Sequence, residues 1–161
     1  MIEILDMSER EIRELLAATG YGHLACARGG VPYLVPIHYA YDEPNIIVYS
    51  TEGKKTDIIA ENPNVCLQVE NVEDNMNWRS VVVIGRAEQL EPGDTRDKAL
   101  DAIVKVSPSL TPAVSVRWMD NWVKENVEVV YRITPTEVTG KKAGHAKGTL
   151  VPGRTSSGPV H

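Results

Sequence analysis

Hydrophobic and polar positions change period several times along the chain, and each change predicts an element. Ser8-Glu9-Arg10-Glu11 has the form of a capping box. In that motif a serine hydroxyl takes an amide proton from the first helical turn and a glutamate reaches back. Ile12, Leu15, Leu16 and Thr19 then fall on one helical face, and Gly20 is placed to end the helix. Next, Gly22 to Arg28 alternates loosely between apolar and polar residues, and Gly29-Gly30 signals a tight turn. Val31 to Tyr41 (VPYLVPIHYAY) is β-rich. Its prolines, Pro32 and Pro36, donate no ladder hydrogen bond, which points to an edge, a bend or a bulge with backbone groups freed for another partner.

Asp42 to Asn45 reads as a turn and Ile46 to Ser50 as a short buried strand. Thr56 to Glu61 predicts a short helix with Ile58 and Ile59 inward, ended by Asn62-Pro63. Asn64 to Val72 is a strand through Val65, Leu67 and Val69, followed by a polar loop, Glu73 to Asn77. Trp78 to Leu90 is the longest strand, and Gly85 within it marks a bulge or a close backbone approach. Asp94 to Val106 has helical spacing at Ala99, Ala102, Ile103 and Val106. Ser107 to Val123 is punctuated by proline and follows no single period. Asn126 to Ile133 is the final strand, with Val138-Thr139 as a possible continuation. Strands and helices do not alternate regularly, so a doubly wound parallel sheet is not expected. The pattern predicts a mainly β fold with peripheral helices: six antiparallel strands in a Greek-key barrel.

Composition narrows the function classes. The 161 residues suit one domain, long enough to bury roughly 70% of the unfolded surface without a staple. There is no phenylalanine, so the core must be aliphatic, and the aromatics are three tryptophans and six tyrosines. Seventeen bases against 22 acids give a formal charge of −5, unlike a dedicated nucleic-acid binder. No run approaches the ~20 apolar residues of a membrane span, and Met1 to Glu14 has no apolar secretory core. A cytoplasmic protein is the expectation. Cys26 and Cys66 each lie in an apolar run and read as reduced, buried thiols. The charge is uneven: residues 140–161 carry Lys141, Lys142, Lys147 and Arg154 and no acid, which leaves a net of −9 in residues 1–139. Residues 1–139 therefore read as the folded domain and 140–161 as a basic, flexible tail.

No dinucleotide fingerprint, nucleophile elbow or metal-spaced histidine set is present. One constellation stands out. Tyr49-Ser50-Thr51 ends a strand, and Glu52-Gly53-Lys54-Lys55-Thr56 turns into a helix. Two hydroxyls, two ammonium groups and free helix N-terminal amides suit a phosphate. In residues 42–75 Lys54 and Lys55 are the only bases against eight acids. The residues alone leave two readings open, a phosphate site and a solvated basic turn. Trp78-Arg79-Ser80 adds a cation, a hydroxyl and an aromatic wall at the start of the longest strand.

Together these segments resemble the flavin-binding split-barrel superfamily that includes pyridoxamine 5′-phosphate oxidase, over about Ser8 to Lys142. Within it the nitroimidazole-resistance-type branch, with its Gly-x-Lys turn, is the most similar. The resemblance implies a six-stranded split barrel, a homodimer and FMN at the dimer interface. It carries the phosphate-binding lysine onto Lys55 and that lysine's neighbours onto Lys54, Ser50 and Thr51. The strand along the flavin ring falls on Val35, Pro36, Ile37 and His38, and cofactor contacts from the later strand on Trp78, Arg79 and Ser80. The branch often has histidine where Tyr49 stands and asparagine where His38 stands, so His38 and Tyr49 become the catalytic candidates. The oxidase's Arg-Leu-His-type substrate motif has no match in residues 127–161. The implied function is an FMN-dependent oxidoreductase acting on a small organic acceptor, such as a nitro or quinone-like compound. The alternatives are a flavin carrier or sensor without turnover, and the same barrel using F420 or haem.

Overall fold

A computed structural model describes residues 1–105 and 129–145. The elements, in chain order, are β1 (Ile2–Asp6), α1 (Glu9–Thr19), β2 (Tyr21–Arg28), β3 (Val31–Asp42), β4 (Asn45–Ser50), α2 (Lys54–Glu61), β5 (Asn64–Asp74), β6 (Asn77–Gln89), α3 (Asp94–Lys105) and β7 (Val129–His145). All pairings are antiparallel, in the order β1-β7-β4-β3-β2-β5-β6, and β6 also pairs with β7. That last pairing closes six strands into a ring, the six-stranded barrel expected from the pattern and the split barrel that the resemblance implies. The seventh strand, β1, joins the outer end of β7 and was not anticipated. All five of its residues are exposed, so it has no buried face to give it a periodic signature.

The interior is aliphatic. Leu24, Val48, Leu67, Val69, Val81, Val83 and Ile133 alternate inward with Tyr39 and Tyr131 among them. The buried Tyr39 hydroxyl donates to the Leu16 carbonyl at 2.7 Å, one of the α1 C-terminal carbonyls that the helix leaves free. α1 is capped as predicted: Ser8 Oγ accepts from Glu11 N–H and Glu11 Oε1 from Ser8 N–H, both at 3.2 Å. Gly20 ends the helix in the left-handed region at φ 68°. β4 is buried on both faces because α3 covers its outer side. Ile47 and Val130 meet Leu90, Ala99, Leu100 and Ile103 there in a second cluster.

Gly85 is a close approach. A Cβ there would lie 2.5 Å from the Thr134 carbonyl oxygen, where the β6–β7 register slips by one residue. The slip accommodates Pro135, so β7 does not stop at Ile133 but runs to His145. The boundary expected after residue 139 thus falls inside β7. Lys141 pairs with Asp6, and Lys142 Nζ lies 2.7 Å from Glu11 Oε2, so these tail bases are barrel residues. The hydrogen bond from Lys142 is the main cause that lowers the Glu11 carboxyl pKa. Residues 146–161, and the 107–123 stretch with Trp118 and Trp122, lie outside the described residues.

Candidate functional site

The turn after β4 brings the phosphate-type residues together. Gly53 caps α2 without a side chain, and Thr56 fixes the turn: its hydroxyl accepts from Gly53 N–H at 2.9 Å and donates to Gly53 C=O at 2.7 Å. Helix geometry leaves the first-turn amides, those of Lys54 and Lys55, without an intrahelical acceptor. Ser50 is half-buried at the end of β4 and Thr51 is exposed beside it. Lys55 Nζ lies 3.4 Å from the Thr51 carbonyl. Its charge reaches Cys26, opposing the burial that raises that thiol's pKa. Lys54 Nζ sits 5.0 Å above the centre of the Tyr33 ring. This contact sets the start of α2 against the first half of β3.

That half of β3 has an open edge. It pairs with β2 from Val31 to His38, but with β4 only from His38 onward. Among the described residues no strand pairs with the other edge between Val31 and Ile37. Tyr39 N–H donates to Gly20 C=O at 3.1 Å. Antiparallel ladders alternate, so the odd-numbered residues of β3 bond to β2 and the even-numbered ones face the other edge. Pro32 and Pro36 are both even. Their missing N–H groups therefore fall on the open edge and leave the β2 ladder intact, the placement expected of strand prolines. The main-chain groups of Val35 and Ile37 point to β2 instead. Leu34, which the sequence reading passed over, supplies the open edge with its N–H and is 61% exposed.

His38 and Tyr49 are brought together, as opposite residues on β3 and β4 with ring centres 6.3 Å apart and nearly parallel. Tyr21 flanks His38 at 5.6 Å and His23 at 5.7 Å. Burial holds the His38 imidazole below its ordinary pKa, opposed by a hydrogen bond with the Gly20 backbone. Burial also pushes the Tyr49 phenol up to about 12. The band continues across the outer face. His23 stands opposite Gln68, whose Nε2 donates to Ser80 Oγ at 3.1 Å and Glu70 Oε2 at 3.0 Å. Tyr21, His23 and Gln68 were also missed, because only the cross-strand register joins them to His38 and Ser80.

The Trp78-Arg79-Ser80 group does not stay together. Ser80 joins the outer band, while Arg79 alternates to the other face, in a cleft beside Leu15, Ala18 and Thr19 of α1. Nor does one chain bring Arg79 to Lys55. Along β5, Val65 pairs with Cys26 near Lys55 and Asn71 pairs with Arg79. Six residues at ~3.3 Å each separate these points by roughly 20 Å.

The sequence model described as pyridoxamine 5′-phosphate oxidase matches residues 8–142. The chain belongs to the pyridoxamine 5′-phosphate oxidase family. A solved FAD-binding protein from Mesorhizobium loti is 31% identical, with 90% of this chain and 100% of that one covered and a TM-score of 0.70. A structure described as a 5-nitroimidazole antibiotic resistance protein, from Bacteroides thetaiotaomicron, shares the fold at 21% identity. It covers 89% and 90% of the two chains, with a TM-score of 0.68. An uncharacterised protein of Rhizobium meliloti (strain 1021) is 40% identical over 84 residues, which is 52% of this chain and 56% of that protein's length.

Proposed function

We propose that this member of the family binds FMN and acts as an oxidoreductase on a small organic acceptor, of the nitro or quinone type. The observation that carries the reading is the meeting of two features. The α2 N-terminus, with Lys54, Lys55, Ser50 and Thr51, meets the half of β3 whose main-chain edge is open, through Lys54 over the Tyr33 ring. The donor set suits a phosphate dianion, through two ammonium groups, two hydroxyls and first-turn amides. The open edge suits the hydrogen-bonding rim of a planar ring. The FAD-binding Mesorhizobium loti protein, at 31% identity, supports a flavin here.

When bound, the flavin supplies hydride chemistry, and the protein supplies binding, orientation and protons. Lys54 and Lys55 hold the phosphate. Tyr49 faces a ligand from the outer band as its proton donor, and His38 faces it beside Tyr49 as a hydrogen-bonding imidazole. At neutral pH the Tyr49 phenol keeps its proton, and His38 stays a neutral imidazole. Trp78 and Arg79, which line one cleft, reach the same cofactor from a second copy, in a two-fold homodimer whose interface completes each site. The roughly 20 Å of β5 between the position near Lys55 and the one paired with Arg79 supports that arrangement.

The test is a visible spectrum of the purified protein with a mass of the extracted cofactor. A yellow protein carrying FMN is expected. A colourless protein that takes up no added FMN sinks the proposal, and a mass of F420, FAD or haem redirects it. Oxidation of NADH or NADPH above the rate of free FMN separates an enzyme from a carrier or sensor.

A further inference from the structure

We propose that Pro32, Leu34 and Pro36 make the open edge of β3 a hydrogen-bond acceptor edge that favours the reduced form of a bound flavin. The inference rests on the FMN reading above and specifies what the edge does to the ring. An ordinary strand edge would present three carbonyls and three amides over these three even positions. Here the prolines delete two amides, so three carbonyls face outward with the Leu34 N–H as the one main-chain donor. A ligand along this edge is held best when it supplies N–H groups, because a covered carbonyl without a donor is costly.

A flavin changes in that respect with its oxidation state. Its two-electron reduction, FMN + 2 e⁻ + 2 H⁺ → FMNH₂, adds hydrogens at N1 and N5 and turns those ring acceptors into donors. The electrons come from an external reductant and the protons from solvent. An acceptor-rich edge therefore binds the reduced ring more tightly than the oxidised one. The effect uses main-chain groups alone, so it is separable from the charges of Lys54 and Lys55, which also favour electron uptake. The bland alternative is that the prolines only keep a second strand from pairing with this edge.

Two substitutions shift the balance in opposite directions without removing a β2 ladder bond. Pro36→Ala restores an amide donor on the open edge, and Leu34→Pro deletes the existing one. Both residues are exposed. The full-length protein is loaded with FMN and titrated with dithionite against a reference dye. For Pro36→Ala the ratio of oxidised to reduced affinity should rise about fivefold, a fall of about 20 mV for a two-electron couple. Leu34→Pro should move the potential the opposite way. Unchanged potentials in variants that keep FMN overturn the inference alone and leave the prolines as blockers of strand pairing. A folded Pro36→Ala protein that loses both forms of FMN equally overturns it as well. Failure of the wild-type protein to take up FMN removes the functional proposal and this inference together.

Discussion

Gly85→Ala tests the barrel closure on which the site depends. Gly85 pairs with Val65 on β5 and Pro135 on β7, so strands hold its backbone on both sides. A Cβ would stand 2.5 Å from the Thr134 carbonyl oxygen and 2.9 Å from Ile133 Cγ2. Ordinary van der Waals contact is about 3.5 Å, so the carbonyl must retreat by nearly an ångström. Thr134 belongs to β7 and pairs with Arg86, so its oxygen retreats only if the β6–β7 ladder opens. Overpacking of this kind costs about 1–3 kcal/mol, with immovable backbone placing it at the upper end. At 2–4 °C per kcal/mol for a domain of this size, the melting temperature should fall by about 5–10 °C. Gly29→Ala is the comparison, since its Cβ meets no atom within 4 Å and only its positive φ of 57° is penalised. That substitution should cost about 1 kcal/mol. Urea unfolding at constant m-value measures both. A Gly85→Ala protein no less stable than Gly29→Ala would refute the close approach and the register slip built on it.

Tyr39→Phe removes the donor from the buried Leu16 carbonyl and should cost about 1–3 kcal/mol by the same assay. Retention of full stability would show that another group serves that carbonyl. Lys55→Ala should weaken FMN binding about 10- to 100-fold, as for loss of a charge-assisted hydrogen bond, and titration calorimetry giving an unchanged affinity would move the phosphate elsewhere. Burial lowers the His38 pKa, so the folded protein binds fewer protons than the unfolded chain near the ordinary histidine value of 6.5. Its contribution to stability is therefore present above that pH and lost as the pH falls through the folded value. An NMR titration should place the His38 midpoint below 6.5, and a midpoint at or above it contradicts the burial.

What was legible in the sequence is what short-range physics encodes. The α1 cap, the inward alternation of β5 and β6 and the Gly85 approach needed only neighbours in the chain. The lysine turn did too, because a strand end at Ser50 and a helix start at Lys54, four residues apart, fix its shape. β1 was invisible, since an exposed strand with no buried face leaves no period. The second half of β7 was hidden by Pro135, which reads as a stop until the register slip absorbs it.

The site shows the limit more sharply. Trp78, Arg79 and Ser80 looked like one cluster because they are consecutive, but a strand of period two sends Arg79 and Ser80 to opposite faces, while Trp78 and Arg79 line one cleft. His38 and Gln68 looked unrelated because 30 residues separate them, yet β2 lies between their strands and brings them onto one band through Tyr21 and His23. The two prolines stand between these cases. Their presence announced an edge, but the chemistry of that edge depends on parity, which the β2–β3 register fixes and the Tyr39 N–H to Gly20 C=O hydrogen bond reveals. Had the register been one residue different, the same prolines would have broken the β2 ladder and left the outer edge rich in donors. The sequence thus contains the residues of an acceptor edge, and the two-residue Gly29-Gly30 turn, which fixes the β2–β3 register, decides which way they face.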